Sequence, residues 1–344
     1  MKKIGLIVAV CIVTAVSGYW IAHRPPYPIL DSGYWVDTGG QYNIYWMDNR
    51  RIIFTGGGIG AGSPSLYIWD THENKTTLIR ADAAGLCYSN GYVRYLADNL
   101  GQQFGRQGAG SISAIEEKPF VMLKGEAASY TARNQFTCHD VDLRQLPGYG
   151  DDKERLPLRE EHGFLEMGAK SSGSSDMPLR LFPPGNTTGI ELPLKQWQVL
   201  YKPITYVEFA NAYLMYASQP APRTGHTTWP KNQPYPIHFL SPDGTVRTVN
   251  IPYIKGMSGL ANFWATREGL VVNDYGPGGK LAVNFVANDN QRVAKILDGT
   301  ILPAAVSPDG CKLAFNHTVY RAHGINGMAI AKIPPTLKII NFCQ

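Results

Sequence analysis

Ser307-Pro308-Asp309-Gly310-Cys311-Lys312-Leu313-Ala314-Phe315 is a tight turn running straight into an apolar strand, and it sets the reading of the whole chain. Pro presets φ for the first corner, Asp offers its side chain to the backbone two residues on, and Gly accepts positive φ. Hairpins between short strands need this chemistry. Working outward, six segments read as short buried strands after a polar turn: Arg51–Gly56, Tyr92–Ala97, Gly163–Ala169, Asn211–Ala217, Gly269–Tyr275 and Cys311–His317. The first five turns are Asp48-Asn49-Arg50, Ser89-Asn90-Gly91, Glu160-Glu161-His162, Ala210-Asn211 and Arg267-Glu268-Gly269.

A second hairpin follows each of these strands, over Leu66–Ile79, Ser111–Leu123, Met177–Leu192, Pro236–Ile251, Leu281–Leu297 and Met328–Phe342. In the second unit Glu116-Glu117-Lys118 reads as the turn, and in the last Pro334-Pro335. A four-stranded sheet cannot bury both faces alone, so such units stack on their neighbours. Closing the stack into a ring leaves only short edges. The predicted fold is all-β, a six-bladed β-propeller of four-stranded antiparallel blades over residues 40–344. A large β-sandwich is the competing architecture.

Composition agrees, with 36 glycines, 24 prolines and 19 tyrosines, and only 17% charged residues. Frequent turn formers among aromatic and β-branched runs mark many short strands. The net charge of +5 is dispersed along the chain and gives no basic patch for nucleic acid.

Ser307–Phe315 resembles the repeat of TolB-like, WD40-like propellers, in which Ser-Pro-Asp-Gly turns between the first two strands of a blade. A second Ser-Pro-Asp-Gly, at Ser241–Gly244, falls between a third and a fourth strand, out of phase. Tyr45-Trp46-Met47-Asp48 is similar to a Tyr-Trp-Thr-Asp propeller motif. The resemblance implies the fold and no activity. Nothing corresponds to the N-terminal domain that accompanies the TolB propeller, so a Tol-Pal partnership is not implied.

Met1-Lys2-Lys3 followed by the uncharged Ile4 to Val16 is the pattern of a bacterial export signal. Residues 1–18 therefore read as a signal peptide, cleaved after Ser17 or Gly18, or as an N-terminal membrane anchor. The anchor reading rests on the uncharged stretch Ile4 to Ala22 with Tyr19 and Trp20 near its end. Either way the expected location is periplasmic or otherwise extracytoplasmic, with membrane contact only through this segment. Residues 19–39, with Arg24-Pro25-Pro26-Tyr27-Pro28, read as a Pro-rich tether, and Tyr34-Trp35-Val36 as a strand that helps close the ring.

An oxidising compartment makes disulfides of Cys87, Cys138, Cys311 and Cys343 an expectation. If Cys311 opens the second strand of the last blade and Cys343 ends its fourth, the two are too far apart to bond. Cys87, on a first strand, is expected instead to meet Cys138 in the long insertion of the same blade region.

Strand order places the loops between second and third strands on one face of the ring, with the links between blades, and the short hairpin turns on the other. The predicted longer loops are Thr55–Ser65, Asp98–Gly110, Ala169–Asp176, Gln219–Tyr235, Asp274–Lys280 and Asn316–Gly327, joined by the insertion Glu126–Leu156. Long loops on a rigid scaffold are where binding residues gather. Two tall loops beside the short Asp274–Lys280 predict a groove walled by Arg223, His226, Trp229, Lys231, His317, Tyr320, Arg321 and His323. Aromatic faces beside cationic donors suit a sugar or an anionic glycan.

Two functional readings follow. The first is a non-catalytic binding or scaffold protein for an envelope protein, glycan or cell-wall component, without cofactor. The second is a hydrolase or lyase acting on a carbohydrate or lactone at the channel mouth. Metal-dependent propeller lactonases set Glu, Asn and Asp around the channel, and here Asn43, Glu208 and Asn262 fall on predicted first strands, with Ca2+ as the fitting ion. No zinc motif, nucleophile elbow or phosphate loop with a following helix occurs.

Overall fold

The computed structural model describes residues 27–37, 44–58, 60–99, 104–119, 153–169, 177–195, 198–199, 204–216, 232–254, 261–274, 282–289, 292–321, 330–331 and 335–343. Within them lie six antiparallel sheets of four or five strands and one two-stranded ribbon. Sheet one contains Ile44–Trp46, Arg51–Gly58, Ser65–Asp70 and Lys75–Arg80, with Tyr34–Val36 added beside Gly56 to Gly58. Sheet two is Ala83–Ser89, Tyr92–Asn99, Phe104–Ser111 and Ala114–Pro119, and sheet three Lys153–Pro157, Phe164–Ala169, Pro178–Phe182 and Ile190–Lys195. Sheet four runs Thr205–Val207, Ala212–Tyr216, Tyr235–Leu240 and Val246–Ile251. Sheet five runs Asn262–Thr266, Gly269–Asp274, Ala282–Ala287 and Val293–Asp298.

The sixth sheet departs from the expected pattern. Its first three strands are Thr300–Val306, Lys312–Thr318 and Thr336–Asn341, but its fourth is Ile29–Asp31 from the other end of the chain. Met328–Phe342 is therefore not a hairpin turning at Pro334-Pro335, because Pro335 leads directly into the third strand. Nor does the tether read over residues 19–39 extend past residue 26 as a free segment: the Tyr27 ring packs on Phe342 and Phe285, with centroids 4.9 and 5.7 Å away. Tyr34–Val36 does add a strand, to sheet one, while Ile29–Asp31 joins the two ends of the chain.

Side-chain alternation explains how the sheets stack. In the second strand of sheet six, Leu313 and Phe315 face the core shared with sheet five, while Ala314 faces the one shared with sheet one. The same alternation yields apolar layers between sheets three and four, four and five, five and six, six and one, and one and two. Central strands are buried on both sides, as in Ala212–Tyr216, where all five residues are buried. Outer strands such as Lys75–Arg80 are mostly exposed or half-exposed and carry the charges. The Trp46 Nε1–H donates to the Ala305 carbonyl at 2.9 Å, tying the inner strands of sheets one and six. The chain is an all-β propeller.

Sheet two corrects another boundary. Phe104–Ser111 was expected within a loop, since it holds three glycines, yet it is the third strand. A Cβ at Gly108 would lie 2.2 Å from Cζ of Tyr95, so glycine is what lets that ring lie across the strand. The hairpin then turns at residues 112–113, and Glu116 and Glu117 stand on the half-exposed outer strand instead of in a turn. Similarly, the insertion before sheet three ends at Lys153, not Leu156.

Candidate functional site

The two faces of the propeller are built differently. On one, every described connection is a short turn stabilised by its own residues. In Ser307–Gly310, the Gly310 N–H donates to the Ser307 carbonyl at 2.8 Å and Gly310 takes φ +76°. Asp309 Oδ1 accepts from the Ser307 hydroxyl and the Cys311 N–H, and Ser307 Oγ accepts from the Lys312 N–H. Ser241–Gly244 repeats the 4→1 bond, at 3.0 Å, and its Asp243 accepts from the Thr245 N–H. Hydrogen bonding from Thr245 holds the Asp243 carboxyl below its ordinary pKa.

These short turns also bind to one another. The Arg267 N–H and Nε–H of sheet five donate to the Gly310 and Asp309 carbonyls of sheet six, at 2.8 and 2.9 Å. Asn49 of sheet one accepts from the Asp309 N–H through Oδ1 and from Lys312 Nζ through its carbonyl. Phe209 of sheet four reaches past sheet five to lie on Gly310, where an added Cβ would be 2.4 Å from the ring. Between sheets three and four, Arg159 pairs with Glu208 and stacks 4.0 Å over the Tyr206 ring. The Arg159 N–H donates to Tyr213 Oη at 2.9 Å, and His162 Nδ1 lies 2.8 Å from the same oxygen. Burial pushes the Tyr213 phenol up to about 12.

The opposite, elaborated face carries the longer connections, 217–234 in sheet four and 319–335 in sheet six, beside the shorter 275–281 in sheet five. The link between second and third strands of sheet two, at 100–103, is much shorter than Asp98–Gly110. Within the sheet-six connection, Tyr320–Arg321 pairs with Ile330–Ala331 as a small ribbon. Arg223, His226, Trp229, Lys231 and His323 lie outside the described residues.

His317, expected in the loop Asn316–Gly327, lies instead within the second strand of sheet six, near its elaborated end. Its Nε2 is 2.8 Å from the Asp298 carbonyl and its Nδ1 is 3.4 Å from Lys338 Nζ. An ammonium can only donate, so Nδ1 accepts and Nε2 carries the proton. Burial, opposed by the Asp298 bond and aided by the Lys338 charge, lowers the imidazole pKa. Lys338 in turn lies 3.6 Å from Asp31, whose Oδ2 accepts from the Thr336 hydroxyl at 3.1 Å. Lys338, Asp31 and Asp298 escaped the sequence reading because they come from three separate stretches of chain: the strand paired with that of His317, the N-terminal strand, and the end of sheet five. A second charged cluster, Arg80 with Asp98 and Glu117, joins sheets one and two near the same face, with Tyr95 donating to Glu117 at 2.8 Å. The Arg80 hydrogen bond, followed by that from Tyr95, lowers the Glu117 pKa against desolvation.

Of the metal-ligand candidates, the two described, Asn262 and Glu208, do not come together. Asn262 opens its first strand at the elaborated end and accepts from the Tyr216 hydroxyl at 3.4 Å. Glu208 is not on a first strand at all but in the turn that follows one, at the opposite end of the molecule, paired with Arg159. Asn43 lies outside the described residues. Among the described residues no cluster of three His, Cys, Asp or Glu side chains could hold a metal ion.

One expectation about the cysteines is overturned, that Cys311 and Cys343 lie too far apart to bond. Cys311 and Cys343 are bonded, with Cα atoms 5.1 Å apart, because Cys343 follows the third strand and not a fourth. Adjacent antiparallel strands bring the start of one beside the end of the next, and Lys312 faces Asn341. Cys87 is also disulfide-bonded, and Cys138, its expected partner, lies outside the described residues.

No protein-family model matches the sequence, and neither does any curated protein. Among solved structures, the chain is similar to an oligogalacturonate lyase in complex with manganese, at 11% identity and TM-score 0.36, over 94% of this chain and 95% of that one. An oligogalacturonate lyase from Vibrio parahaemolyticus matches at 7% identity and TM-score 0.35, over 93% and 94%. One of two prolyl endopeptidases matches at 8% identity and TM-score 0.39, over 91% of this chain and 51% of that one. At these values the likeness says nothing of activity, substrate or metal.

Proposed function

We propose that the chain is an exported six-bladed propeller of the cell envelope that binds an anionic glycan on its elaborated face, without a catalytic step. The carrying observation is the asymmetry of the two faces. Short turns on one side are tied to each other across sheets four, five, six and one. The long connections 217–234 and 319–335, and the shorter 275–281, leave their strands on the other. In sequence the two long segments carry Arg223, His226, Trp229, Lys231, Tyr320, Arg321 and His323. Guanidinium groups pair bidentately with carboxylates, and aromatic faces accept sugar rings. The Cys311–Cys343 bond supports an oxidising compartment. The test is a glycan array at low salt comparing wild type with the Arg223→Ala/Trp229→Ala/Arg321→Ala triple variant, whose folding is checked by circular dichroism. Selective loss of acidic-glycan binding is expected; identical profiles would sink the reading.

A further inference from the structure

The chain joins the propeller at a defined place. Ile29 pairs with Ile340, at the short-turn end of the outermost strand of sheet six, and the strand runs to Asp31 beside Lys338 at the elaborated end. Tyr27, packed against Phe342 and Phe285, lies at the same rim. Val293, 41% exposed, opens the outer strand of sheet five at that end too. Upstream, the sequence holds the uncharged run Ile4 to Ala22, ending in Tyr19-Trp20-Ile21-Ala22, then only His23-Arg24-Pro25-Pro26 before Tyr27. From Ala22 to Tyr27 there are five Cα–Cα steps, which span at most about 18 Å when fully extended, and the headgroup layer beyond the apolar span takes up part of that reach. The strands that separate the two faces are about 17–20 Å long, so such a link brings the short-turn rim near a bilayer and leaves the elaborated face out of reach.

We infer that the apolar N-terminal segment is retained as a membrane anchor, and that it holds the propeller with its short-turn face against the lipid surface. Cleavage after Ser17 or Gly18 would leave the mature chain starting on an apolar, aromatic run, whereas Trp and Tyr at the end of an apolar span are interfacial anchors. The turns of this face carry charged groups of both signs, such as Arg267, Glu268, Asp289 and Arg292, suited to a headgroup layer. The inference does not depend on what the elaborated face binds.

The test uses the full chain in liposomes containing headgroup-labelled nitroxide lipids, in a Cys11→Ser parent that serves as the blank. A fluorophore is attached at Glu268→Cys, exposed on the short-turn face, or at Lys195→Cys, exposed at the elaborated end of sheet three. Loss of fluorescence at Glu268→Cys but not at Lys195→Cys is expected, and inserting a long Gly-Ser linker between Pro26 and Tyr27 should relieve it. Equal quenching at both positions, stronger quenching at Lys195→Cys, or membrane-free protein whose N-terminus lies at residue 18 or 19 would each overturn the inference. Glycan binding by soluble protein from residue 27 onward, compared with wild type, tells its failure apart from failure of the binding reading.

Discussion

Cys311, just before the second strand of sheet six, is bonded to Cys343, just after the third, across the short-turn rim where the Phe342 N–H donates to the Cys311 carbonyl at 2.8 Å. The cross-link closes a loop with a sequence separation of 32 and fastens the strand on which the N-terminal Ile29–Asp31 pairs.

Replacing both cysteines by serine should cost about 3–4 kcal/mol, the loop-closure scale for a link of this length. Urea unfolding of the double variant against wild type measures it, and non-reducing peptide mapping should recover the Cys311–Cys343 fragment. A double variant as stable as wild type would show that the link restrains nothing.

Tyr27→Ala should destabilise the fold by about 2 kcal/mol, since it removes a half-buried ring from two aromatic partners. Deleting residues 18–29 behind a substitute signal should cost more, because the outer strand of sheet six goes with it. An unchanged melting temperature would mean that the strand contributes no stability.

Gly310→Ala should cost roughly 2–3 kcal/mol. It places a side chain at φ +76° and a methyl against the Phe209 ring. Adding Phe209→Ala should recover part of the loss by removing the clash, leaving the backbone strain. Thermal unfolding of the two single variants and the double tests this coupling; strict additivity would place Phe209 elsewhere.

His238, 2% exposed between sheets three and four, has its Nδ1 2.9 Å from the Thr248 hydroxyl and its Nε2 without a partner among the described residues. Burial drops its pKa from 6.5 to about 4. The unfolded chain therefore takes up this proton first, so the stability from keeping His238 neutral is complete above pH 6.5 and lost as pH falls to about 4. The full loss is of order 3 kcal/mol. Denaturation midpoints between pH 7 and 5 should fall in wild type and stay flatter in His238→Gln. Parallel pH profiles would rule out this histidine as the source.

The difference between what sequence shows and what structure shows follows the range of the interactions involved. Ser307-Pro308-Asp309-Gly310 bends as its residue types predict, because its bonds lie within a few residues and Gly310 needs positive φ. The same holds for Asp48 accepting from the Arg50 and Arg51 N–H groups, and for Asn211 in the left-handed region. Phe104–Ser111 misled because Gly108 answers to the Tyr95 ring, a demand made from another strand. Glu117 misled because an acidic residue on an outer strand looks like a turn until Arg80 and Arg106 arrive to pair with it.

From sequence alone came the all-β class, most of the turns, the succession of hairpins and the face on which the longer loops stand. The tertiary structure alone decided how the ring joins its ends, which cysteines bond, and what surrounds His317. Ile29 against Ile340 is a pairing of three residues with no local pattern to announce it. Its stability comes from the apolar layer that Tyr27, Phe285 and Phe342 complete when sheets five and six are already in place. That strand shifts the last sheet by one position, and the shift sets Cys343 beside Cys311 and Asp31 beside Lys338.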